Sequence, residues 1–129
     1  NAETAILTRL NNVDGIFSAQ LGIQISVPVI DTFPDINDPF TDETDASLLL
    51  DEVADYRSAT PDQRSQGLTH LYTGRNLAGS TVGIAYKGGI GQGGGLVLCN
   101  SNFGVGLSEG NGSANFDSLV AAHETGHEP

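Results

Sequence analysis

The segment His123-Glu124-Thr125-Gly126-His127 sets two imidazoles four residues apart, with a carboxylate directly after the first. On a helix, residues i and i+4 stand one turn apart on the same face. His123 and His127 can therefore converge on one Zn²⁺, each at about 2.0–2.1 Å. Glu124 sits beside the first ligand and reaches water on the metal rather than the metal itself. Zinc lowers the pKa of such a water to about 7, so a carboxylate can take its proton while the same ion polarises a carbonyl. The chemistry that follows is peptide hydrolysis without a covalent intermediate, with His123 and His127 as metal ligands and Glu124 as catalytic base. Two of the chain's three histidines fall in this motif, which makes an incidental match uncommon.

These residues need a helix beneath them. Phe116, Leu119 and Val120 precede His123 and His127 at helical spacing, which predicts a helix over 115–127 whose ligands lie on or beside the stripe facing the sheet. Asn115 or Ser113 can cap its start. Ile6, Leu7, Leu10, Val13 and Phe17 predict a helix over 2–20, which Gly22 ends. Ala46, Leu49, Leu50, Val53 and Tyr56 predict another over 45–57, capped by Asp45. Ile23, Ile25, Val27 and Val29 alternate with other residues and read as a strand over 23–30, in which Pro28 has no amide donor to give. Further strands are expected over 68–72, 81–86 and 103–109; Thr60-Pro61-Asp62 reads as a turn, and Leu96–Cys99 as β-like. This order predicts an α/β fold, a mixed twisted sheet packed on three helices.

Length fits a single domain over 1–129. Sixteen acidic residues against five basic give a net charge of −11, which argues against nucleic acid and against an anionic membrane surface as partners. No apolar run is long enough to span a bilayer. The chain starts at Asn1 without a signal peptide, and so reads as a mature or excised segment. Cys99, the single cysteine, has no internal disulfide partner.

Other clusters read as structural. Asp35, Asn37, Asp38, Asp42, Glu43 and Asp45 offer hard oxygen ligands for Ca²⁺, but the glycine turn and closing glutamate of a calcium loop are absent, and a solvated loop is the better reading. Gly89-Ile-Gly91-Gln-Gly-Gly94 fits GxGxxG, yet the residues after it are β-like where a dinucleotide site needs a helix. His70 reads as a packed histidine of a strand, and Cys99 has no partner at nucleophile spacing. Asn111-Gly-Ser113 is a glycosylation sequon, meaningful only in a eukaryotic secretory host.

Beyond the motif, the segment from Leu71 through Thr-Gly-Arg-Asn-Leu-Ala-Gly to Tyr86, the run Gly104-Val-Gly-Leu-Ser108, and the helix Asp117–His127 resemble, in that order, the reprolysin-like (adamalysin) branch of the metzincin proteases. The resemblance implies a zincin-like upper subdomain with an antiparallel edge strand, and a secreted or extracellular zinc endopeptidase. It carries over His123, Glu124 and His127. It also implies a protein or peptide substrate lying extended along an edge strand, taken here as 103–109, where Gly104 and Gly106 leave room for another backbone. The family's pattern continues past the second histidine to a glycine, a third histidine and a Met-turn. Here Glu128 and Pro129 follow and there is no Met, so the chain reads as truncated just after HExxH; the alternative is a non-catalytic, peptide-binding module without the third zinc ligand.

Overall fold

The computed structural model describes residues 2–33, 39–87 and 97–127. Seven elements follow one another: α1 (Ala2–Leu21), α2 (Ala46–Ala59), α3 (Pro61–Arg64), β1 (Thr69–Thr73), β2 (Gly83–Ala85), β3 (Val105–Glu109) and α4 (Ala114–Gly126). The three long helices lie where apolar periodicity puts them. Gly22, at φ +66°, turns the chain off α1. The Asp45 carboxylate accepts from the Leu48 amide at 3.1 Å and caps α2. Where a turn was expected, Pro61 opens the four-residue α3 instead, its fixed φ suiting a first helical position.

The sheet is three-stranded and mixed, in the order β1-β3-β2. β3 runs parallel to β1, with Leu71 opposite Leu107, and antiparallel to β2, with Ile84 opposite Leu107. The antiparallel edge strand is therefore β2. Residues 103–109 do not form an edge: Val105–Glu109 is the central strand, bonded on both sides, and Phe103 and Gly104 precede it in a turn. Gly104 does allow a close approach, but to this chain's own atoms. A Cβ there would lie 2.9 Å from the Asn100 carbonyl and 3.1 Å from that of Gly67.

Two further strand expectations fail. Residues 23–33 join no ladder. Alternation supplies a face but not a partner, and the Ile25 amide is taken by the Asp14 carboxylate of α1 at 2.6 Å. Ile23 to Asp31 instead shares with α1 and β1 the lining of a largely apolar cavity of about 630 Å³. Val97 to Asn100 forms a turn, with the Asn100 amide bonded to the Val97 carbonyl at 2.9 Å and Cys99 exposed at φ +67°. Residues 95 and 96, the GxGxxG stretch, and Asp35, Asn37 and Asp38 of the acidic loop lie outside the described residues.

Strand alternation divides the sheet into two faces. Leu71, Ile84, Val105 and Leu107 pack with Leu49, Leu50, Val53 and Ala54 of α2, and this forms the core. At its margin Phe33 meets Phe40 and Tyr56 edge to face, and Phe40 and Tyr56 meet at a tilt, with centroids 5.6–5.9 Å apart. Arg57, fully buried, ties α2 to the start of β1 by donating to the carbonyls of Gln63, Gln66 and Asn100 and to the Thr69 hydroxyl. His70, Tyr72, Gly83, Ala85, Gly106 and Ser108 alternate onto the opposite face, on the side of α4. No described helix is long and apolar enough to cross a membrane.

Candidate metal centre

α4 begins at Ser113, whose hydroxyl accepts from the Phe116 amide at 3.2 Å. It ends at His127, whose amide bonds to the Glu124 carbonyl at 3.1 Å. The buried residues of α4 are Asp117, Ser118, Ala121 and Glu124. This inverts the face expected from hydrophobicity: Phe116 and Leu119 are exposed, His123 is exposed and His127 half-buried. Polar partners decide the orientation. Arg9 of α1 takes the Asp117 carboxylate, and Asn12 takes the Ser118 hydroxyl at 3.1 Å.

The two histidines converge as their spacing predicts. Their Nε2 atoms are 3.0 Å apart and their rings are perpendicular, with centroids 4.6 Å apart. Two ligands on a tetrahedral zinc lie roughly 3.3 Å apart, so this pair fits a chelate with almost no adjustment. The Glu124 carboxylate completes the group, all three ligand atoms lying within 4.8 Å of one another. Among the described residues it is the one such group of three or more histidine, cysteine and carboxylate side chains, and Asp42, Glu43 and Asp45 do not form another. Asp45 caps α2, and Glu43 accepts from the Thr44 and Asp45 amides.

Glu124 is only 8% exposed, and burial pushes its carboxyl above the usual carboxylate range, against the opposing pull of His123 and His127. Its seat is Gly83 of β2. A Cβ there would lie 2.9 Å from Val120 Cγ1, 3.0 Å from Glu124 Cγ and 3.1 Å from Glu124 Oε1. Gly83 was not singled out in the sequence, although a glycine inside a strand is a known mark of close approach. Arg9 and Asp117 were also passed over, since a charge pair 108 residues apart leaves no local pattern. His70 stays apart from the metal centre: its Nε2 meets the Ser108 hydroxyl at 2.9 Å, its Nδ1 has no partner, and burial lowers its pKa to about 4.

A model of the metallo-peptidase family M12B, reprolysin-like, matches residues 3–128. The chain belongs to that family. Membership implies a zinc metallopeptidase, which agrees with the donor set that α4 presents and with the mixed α/β architecture. In this reprolysin-like chain the motif, its helix and the antiparallel edge strand come together at one place, the contact of Glu124 with Gly83.

Proposed function

We propose that this chain carries the zinc-binding and proton-transferring half of an endopeptidase site, with His123 and His127 as ligands and Glu124 as general base. The observation that carries the reading is the buried Glu124 carboxylate, which lies within reach of both imidazole nitrogens and against the edge strand. When bound, zinc supplies Lewis acidity, acidifying water and polarising a carbonyl. Glu124 takes the proton from the attacking water and passes it to the leaving amine.

The substrate docks on β2 rather than on 103–109. The Val82 carbonyl and the Tyr86 amide bond to β3, so by antiparallel alternation Gly83 and Ala85 turn their amides and carbonyls the other way. No described strand pairs with that side. An extended protein or peptide substrate adding there would pass directly beside Glu124. A place outside the cell fits the family, and nucleic acid remains a poor partner for a chain of net charge −11.

Catalytic zinc sites use three protein ligands and water, and the described residues supply two. The 129-residue chain should accordingly bind zinc more weakly than a protein that adds a third histidine. In that extended protein Glu124→Gln should retain zinc while peptide hydrolysis falls by about 10²-fold or more. His123→Ala should lose both. Zinc content after dialysis and cleavage of a fluorogenic peptide measure the two effects. Near-normal hydrolysis by Glu124→Gln would remove the general-base role; absence of zinc from every version would favour a non-catalytic peptide-binding module.

A further inference from the structure

We infer that Arg9, far from the motif in sequence, is a positioning residue that sets where α4 holds its metal ligands; the inference rests on the zinc reading above. Asp117 is 1% exposed, and a carboxylate so buried needs a partner to remain charged. Arg9 Nε donates to Asp117 Oδ2 at 2.8 Å, and its NH2 nitrogen lies 2.7 Å from the same oxygen. That NH2 group also reaches the carbonyls of Gly112 at 3.1 Å and Gly110 at 3.4 Å. The NH1 group is held by the Ala5 carbonyl of its own helix at 3.1 Å. One guanidinium therefore joins α1, the turn that leaves β3, and the first turn of α4.

The turn itself is fitted to this arrangement. A Cβ on Gly112 would lie 2.8 Å from Asp117 Oδ1, so only glycine lets the loop close over the paired carboxylate. Asn12 adds a second tie one residue along, to Ser118. From Asp117 to His123 and Glu124 is six to seven residues, about 9–10 Å of rigid helix. At the far end Glu124 is seated against Gly83 with no spare room. A helix clamped at one end and seated at the other has its roll and height fixed, and both histidines travel with it. Lysine offers a point charge in place of the planar fork and cannot hold the carboxylate and the Gly112 carbonyl in the same way.

The test compares zinc affinity of the full chain with that of Arg9→Met, Arg9→Lys, Asp117→Asn and the Arg9→Met/Asp117→Asn double variant. Affinity is read by competition with a chromophoric chelator, at a temperature where circular dichroism shows parental helix content. Arg9→Met should weaken zinc binding by up to about tenfold, the low end of the range for groups bonded directly to metal ligands. Arg9→Lys should fall between, and the double variant should be no weaker than the worse single. If Arg9→Met does not fold, the near-isosteric Asp117→Asn and Arg9→Lys carry the comparison. Folded variants with parental zinc affinity and a lowered melting temperature would show a purely structural bond and overturn the inference. His123→Ala separates the two claims: if it leaves zinc binding intact, the zinc reading falls and this inference with it. If His123→Ala abolishes binding while the Arg9 and Asp117 variants leave it unchanged, only the positioning role falls.

Discussion

The two faces of the sheet are built from different chemistry although they share every strand. Toward α2, Leu71, Ile84, Val105 and Leu107 meet leucines and valine in a buried apolar layer. Toward α4, the same strands present His70, Tyr72, Ser108 and small residues; His70 meets the Ser108 hydroxyl, Glu124 of α4 is seated on Gly83, and α4 itself is tied to α1 by the Arg9–Asp117 pair and the Asn12–Ser118 bond. The first face is stabilised by apolar area removed from water and tolerates conservative exchange. The second is specified by directional contacts, and the candidate metal centre of α4 lies on its side. A sheet of three short strands can thus keep stability and function on opposite sides.

Substitutions can test how complete that separation is. The largest expected effect on folding is that of Leu107→Ala, at a fully buried site in the core; unfolding should become easier by about 2–5 kcal/mol. Zinc affinity of the fraction that remains folded should not move, and chemical denaturation combined with chelator competition measures both. A drop in that affinity would join the two faces. Gly83→Ala acts from the other side. Its methyl group meets Val120 and Glu124, and overpacking of this kind costs about 1–3 kcal/mol. Zinc should be retained while hydrolysis in the extended protein falls, because Glu124 loses its seat; unchanged hydrolysis would show that the seat is dispensable.

The last effect is confined to acid pH and concerns His70. Its pKa is about 4 in the folded chain against about 6.5 when free. The unfolded chain therefore takes up this proton first as pH falls. The stabilising contribution is complete above about 6.5 and is lost progressively down to about 4, on the order of 3 kcal/mol in all. His70→Leu should remove that part of the slope, seen as the difference between parent and variant melting temperatures across the interval. Identical slopes would mean that His70 does not titrate differently in the two states.

The sequence makes the long helices and the motif legible because each is a local pattern: periodic apolar residues, a capping Asp45 or Ser113, and His123 and His127 one turn apart. What it hides is set by distant partners. Val105 to Glu109 looks like any short strand, and whether it lies at an edge depends on β1 and β2, which come earlier in the chain. Alternation at 23–30 is plain, but the bond from Ile25 to Asp14 is not. The buried face of α4 contradicts hydrophobicity because Arg9 and Asn12 draw Asp117 and Ser118 inward. Gly83 is one glycine of 17, and only the packed helix shows that the Glu124 carboxylate rests against it.

The segment from Ile23 to Asp31 has a consequence unrelated to catalysis. The outer edge of β1, five residues long, is not paired to any described strand, and such an edge is a template on which other chains can assemble. Here α1 and Ile23–Asp31 line the open cavity beside it, and Thr69 and Thr73 at its ends are buried. A net charge of −11 adds repulsion between copies. An unpaired edge of this kind is where strand-to-strand self-association begins, and Ile23–Asp31 flanks the cavity on that side.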